Sequence, residues 1–140
     1  MVKSLGEPFS REPKVVAQRF LKHQSFLGFT IQAEDDYIDS KKAVLVNNDL
    51  HISLAAPRKS ITDYFLKNAD ADEVIFIHRG SGVLKTIYGT IEFGFGDYLV
   101  IPRGTIFQLH FNDEDNRLFI VDSFTAVEFP KRYLNSRSEE

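Results

Sequence analysis

The chain has 140 residues and a mass of 16.0 kDa, the size of one domain with a single core. Hydrophobic residues at 43% and charged residues at 26% exclude a disordered tail or a coiled coil, and a net charge of -3 without a basic run argues against nucleic acid as a partner. No stretch nears the ~18 apolar residues of a membrane span, and zero Cys removes disulfides and thiolate sites, which together predict a cytoplasmic protein.

Along the chain, Met1 to Lys14 has no apolar core of the kind a signal peptide needs. Pro13 to Leu27 places Val16, Phe20, His23 and Leu27 on one helical face, which predicts a short helix or an arm laid across the rest of the domain. From Ala43 the pattern changes to short apolar or alternating runs: Ala43 to Val46, Leu50 to Leu54, Val74 to Ile77, Val83 to Tyr88, Thr90 to Phe93, Tyr98 to Ile101, Thr105 to Phe111 and Leu118 to Asp122. Glycine, proline and Asn/Asp clusters separate them, supplying the positive φ and local hydrogen bonds of tight turns. Eight strands at this spacing predict an all-β sandwich or barrel over residues 43–137, preceded by an arm over residues 1–42 and followed by a polar end at residues 138–140.

Several familiar sites fail on spacing. Gly89, Gly94 and Gly96 do not open a helix as a dinucleotide fingerprint does, and no phosphate loop is present. Asn68 to Glu73 begins like a calcium loop, but Glu73 stands where Gly is needed and Arg79 where the bidentate Glu belongs. Ser81 lies in a glycine turn rather than in G-x-S-x-G. None of His23, His51, His78 and His110 belongs to a local two-ligand motif.

More informative are two spacings read together: Glu73 followed by Gly80 as E-x6-G, and Gly96 followed by Pro102 and Gly104 as G-x5-P-x-G. They resemble the two signature motifs of the cupin superfamily, whose fold is an antiparallel jelly-roll barrel, also called a double-stranded β-helix. In metal-bearing cupins those motifs supply three His and one Glu. Transferred to this sequence, the His positions fall on Leu66 (or Lys67), Asn68 (or Ala69) and Phe107, so of four ligand positions only Glu73 keeps a donor of the family type. The resemblance therefore implies a barrel with no metal of its own. It also places Thr105, Phe107, Leu109 and Phe111 inward and Ile106, Gln108 and His110 outward by strand alternation, with Glu73, Ile75 and Ile77 sharing one face. Glu73 is then expected to be hydrogen-bonded at the barrel mouth or raised in pKa. Candidate lining residues of the interior are Glu73, Ile75, Tyr98, Phe107, Leu109 and Phe111, a set that would suit a small aromatic ligand as well as a plain core.

The string Asn68-Ala-Asp-Ala-Asp-Glu-Val-Ile-Phe-Ile-His-Arg-Gly80, with Asn47 to Pro57, Gly96 to Thr105 and Pro130 to Tyr133, is similar to the amino-terminal cupin of homogentisate 1,2-dioxygenases. That resemblance implies a structural, metal-free first barrel. Fe(II) would sit in a carboxyl-terminal barrel beyond Glu140, where O2 opens the homogentisate ring to maleylacetoacetate in tyrosine catabolism. It implies that this chain alone is inactive and that its partners are that second cupin or further copies of itself. A stand-alone, non-catalytic cupin that binds a small aromatic ligand or self-associates is the alternative.

Overall fold

In the computed structural model, residues 10, 12–17, 20 and 22–133 are described. Nine strands lie among them: β1 (Lys42–Val46), β2 (Leu50–Ala55), β3 (Leu66–Lys67), β4 (Asp72–Arg79), β5 (Gly82–Thr86), β6 (Gly89–Phe93), β7 (Tyr98–Ile101), β8 (Ile106–Phe111) and β9 (Arg117–Ser123). A single helical turn, α1 (Tyr37–Ser40), precedes them, and 3-10 turns lie at Gly28–Thr30 and Lys131–Tyr133. The strands form two antiparallel sheets, ordered β1-β2-β9-β4-β7 and β3-β8-β5-β6.

The expected all-β jelly-roll architecture is present, and every predicted strand has its counterpart. The additional one, β3, has only two residues, too few for any periodicity to announce it; it exists because Leu66 and Lys67 pair with Phe107 and Ile106 of β8. The predicted Val83–Tyr88 run stops early at Thr86, whose hydroxyl accepts from the Tyr88 amide and donates to the Gly89 carbonyl, closing a turn that Gly89 completes at φ 134°.

Between the sheets lies one core. Ile75, Ile77, Leu99, Ile101, Leu118 and Ile120 face inward from the first sheet, and Leu66, Leu84, Phe93, Phe107 and Leu109 from the second. Alternation on β8 holds for Thr105, Phe107 and Leu109, which are buried, and Phe111 packs against the core edge-on to Phe93. Gln108 departs from the outward expectation in its surroundings: it is buried, and its amide donates to the Tyr64 carbonyl of a segment that hydrogen-bonds along the edge of β8. Ile61, buried in the same segment, donates its N–H to Leu109.

On the outer face of the five-stranded sheet, register lines up two apolar rows. One runs Leu45, Ile52, Val121, Val74, Val100 across all five strands, and the other Leu54, Phe119, Phe76, Tyr98 across four.

The predicted Pro13–Leu27 helix is not formed: its described residues are not helical. A short helix gains most of its stability by packing an apolar face. Here Val16, Phe20 and Leu27 are 87%, 79% and 78% exposed, so nothing among the described residues rewards that face.

Candidate functional site

The site is built on β4 and β9. Register places Glu73 directly opposite Asp122, and both side chains point into one end of the barrel and are buried. Two like charges at directly opposed positions repel, more strongly out of water. A cation must lie between them, and α1 delivers it. The Asp36 carboxylate caps this turn by accepting from the Asp39 amide at 3.0 Å. With the turn so fixed, Tyr37 is fully buried and Lys41 enters the barrel end, its Nζ 3.1 Å from Glu73 Oε1 and 2.9 Å from Asp122 Oδ2.

Neutral donors complete the cluster. The Tyr37 hydroxyl donates to Glu73 Oε2 at 3.1 Å and the Asn68 amide to Glu73 Oε1 at 3.0 Å. Asn68 is itself fixed, its Oδ1 accepting from the amides of Asp70 and Ala71. Burial and then the charge of Glu73 push the Tyr37 hydroxyl up well above its usual range, so it stays a donor. Burial opposes the charge on Lys41, but Glu73 and Asp122 outweigh it and hold the ammonium above the ordinary lysine value. Burial raises Asp122, against the pull of Lys41.

Three bonds from within the protein engage the Glu73 carboxylate, and its burial leaves it without the access to a substrate that a general base requires. Fe(II) does not fit these residues: Leu66 and Phe107, paired across β3 and β8, present hydrocarbon, and the Lys41 ammonium stands where an added cation would be repelled. Among the described residues, no three His, Cys, Asp or Glu side chains converge as a metal group would.

Of the sequence candidates, the structure joins Asn68 to Glu73 and gathers Ile75, Phe107 and Leu109 in the core, with exposures of 0%, 1% and 0%. Those side chains fill the interior. Tyr98 is not brought to them: it is 68% exposed on the outer face, against the Phe76 ring at 4.7 Å between centroids. The reason is parity, since Leu99 and Ile101 of β7 take the inward positions. Two surface grooves, of about 370 and 400 Å³, lie elsewhere: one is lined by Glu34, Asp35, Arg58, Lys59 and Glu114, the other by Glu12, Pro13, Val46 and His51.

Sequence reasoning missed Lys41, Tyr37 and Asp122. Asp122 carried a signal, a carboxylate on the inward parity of the run Leu118, Ile120, Asp122. Lys41 and Tyr37 carried none, because their partner is 32 and 36 residues away.

Comparison with known proteins identifies the family and the fold. The profile of the family described as "Homogentisate 1,2-dioxygenase N-terminal" matches residues 30–132, so the match starts ahead of β1 and includes Tyr37 and Lys41. The Saccharolobus solfataricus protein named "Putative dioxygenase SSO1533" is 35% identical over 114 residues, covering 81% of this chain. The aligned part is 29% of that relative's length. A cupin superfamily protein from Desulfitobacterium hafniense DCB-2 superposes with a TM-score of 0.59 at 14% identity, over 77% of this chain and 97% of its own. A cupin-2 domain protein from Shewanella frigidimarina does so at 0.51 and 21% identity, over 60% and 79%. At such identities the two structures speak to the fold alone. No helix among the described residues is long and apolar enough to cross a membrane.

Proposed function

Since the chain belongs to the family of homogentisate 1,2-dioxygenase N-terminal domains, we propose that it is the metal-free supporting barrel of an aromatic-ring dioxygenase. In this reading the Fe(II) and the O2 chemistry on homogentisate belong to protein outside these 140 residues. The observation that carries it is the Lys41 ammonium, held between Glu73 and Asp122 where hydrocarbon from Leu66 and Phe107 has replaced ligand chemistry. An internal ion pair provides the barrel with the cross-links that a metal provides elsewhere, without the reactivity.

The test is direct. The purified chain, incubated anaerobically with Fe(II) and ascorbate and then desalted, is expected to retain far less than one equivalent of iron and to support no O2 uptake with homogentisate. Stoichiometric retained iron, or turnover, overturns the proposal.

A further inference from the structure

We propose that the arm over Pro13 to Leu27 is a contact for the surface of an anionic lipid bilayer. From Pro13 to Ala33 the sequence holds Lys14, Arg19 and Lys22 and no acidic residue, in a chain whose net charge is -3. The face that helical spacing gathers from Val16, Phe20 and Leu27 is bare, and Val15, Phe26 and Phe29 are likewise more than half exposed. Lys14 and Lys22 are exposed as well, and none of the ion pairs among the described residues involves either. Basic and large apolar side chains mixed in one short segment, with both kinds left exposed, suit the headgroup region of a membrane. There rings and aliphatic chains enter the acyl boundary while the long basic side chains keep their charges among the phosphates.

Charge and chemistry together select this occupant. A nucleic acid would neutralise the bases but leave the apolar side chains in water. The family profile begins at residue 30, so the arm is not part of the domain that the family has in common. A bilayer surface supplies an anionic and an apolar phase at once, and each base near it strengthens binding about fivefold. The arm is also placed to reach it. Gly28 lies against Leu54, and the Phe29 ring meets His78 edge-on and lies under Arg79, which fixes the carboxyl end of the arm to the outside of the barrel. Acidic residues resume only past that anchor, at Glu34, Asp35 and Asp36.

Co-sedimentation of the intact chain with vesicles tests this. Binding to phosphatidylcholine carrying about a third phosphatidylglycerol is expected to exceed binding to phosphatidylcholine alone at least about tenfold, and to fall in high salt. Phe20→Ser with Leu27→Ser, and separately Lys14→Gln with Lys22→Gln, are each expected to weaken it at least about tenfold. All four positions are exposed, so circular dichroism should show the fold intact. Ile91→Ser, exposed on β6, leaves binding unchanged. No binding to the anionic vesicles overturns the inference. So does binding that survives both pairs of arm substitutions, which would place the contact elsewhere on the barrel. Arm substitutions that alter sedimentation without lipid, while vesicles stay unbound, would assign the arm to a protein contact and overturn it too. None of these outcomes bears on the iron and O2 result.

Discussion

Lys41 is the residue on which the barrel end depends. With two buried carboxylates around one ammonium, the cluster is short of positive charge. Removing the only cation that the described residues place within it leaves Glu73 and Asp122 facing each other unneutralised. Breaking a buried ion pair from one side costs about 3–5 kcal/mol, far more than an exposed pair contributes. Lys41→Met, which keeps the stem length, is therefore expected to lose about that much stability in urea denaturation at neutral pH. The pH dependence follows from the direction of each shift. A lysine raised in the fold gives its full contribution below the ordinary lysine range and loses it as pH rises through the raised value. Asp122, also raised, works oppositely to a depressed carboxylate: its contribution is present below the ordinary carboxylate range and fades as pH rises through the raised value. The variant's deficit should thus peak near neutrality and shrink in acid, where the carboxylates are protonated, and in strong alkali. A deficit that does not change with pH would show that Lys41 acts through packing alone. Glu73 was legible in the sequence through the resemblance of its E-x6-G spacing to a cupin motif, and hydrogen bonding at the barrel mouth, one of the two expectations, is what the structure displays. Its partners were not legible, since nothing local distinguishes Lys41 from a solvated lysine.

Turns and edges show what spacing can encode at the scale of elements. Gly80, picked out by its distance from Glu73, closes the turn from β4 to β5 at φ 104°, and a Cβ there would lie 2.0 Å from Asn116 Oδ1. Asn116 cannot yield: it is fully buried, with its amide donating to the carbonyls of Pro57 and Asp113. Gly89, at φ 134° in the next hairpin, faces open space. Gly80→Ala should accordingly cost at least about 2 kcal/mol, backbone strain plus a displaced buried amide, and Gly89→Ala only the strain of about 1 kcal/mol. Thermal unfolding of both variants checks the order, and equal losses would remove Asn116 from the account. Strand alternation was readable wherever one face is core and the other water, as on β4 and β9. It was less so on β8, where Gln108 is buried as well as Phe107 and Leu109 and bonds to residues 57–65, whose course beside the strand no local period records.

At the scale of the whole molecule, the question is where the folded unit begins. Sequence patterning placed the barrel's start at Ala43, with everything earlier an arm. That division follows from periodicity, which sees strands and cannot see a single helical turn. Physically the unit starts earlier: Tyr37 is fully buried in the main core, Glu34 exchanges backbone hydrogen bonds with Ala56 and Arg58, and Lys41 neutralises the barrel end. The described residues before Gly28 contribute little comparable, with Val15, Val16, Phe20, Phe26 and Leu27 all more than half exposed. Two truncations separate these regions. Removing residues 1–27 is expected to leave the unfolding free energy from urea denaturation within about 0.5 kcal/mol of the intact chain, since the described residues among them are largely exposed and exposed residues contribute little. Removing residues 1–41 also deletes Tyr37 and Lys41, and should cost about 5 kcal/mol or more, enough to unfold a domain of ordinary marginal stability. If the shorter truncation unfolded the chain instead, the folded unit would have to begin before Gly28, and Tyr37 and Lys41 would not mark its start.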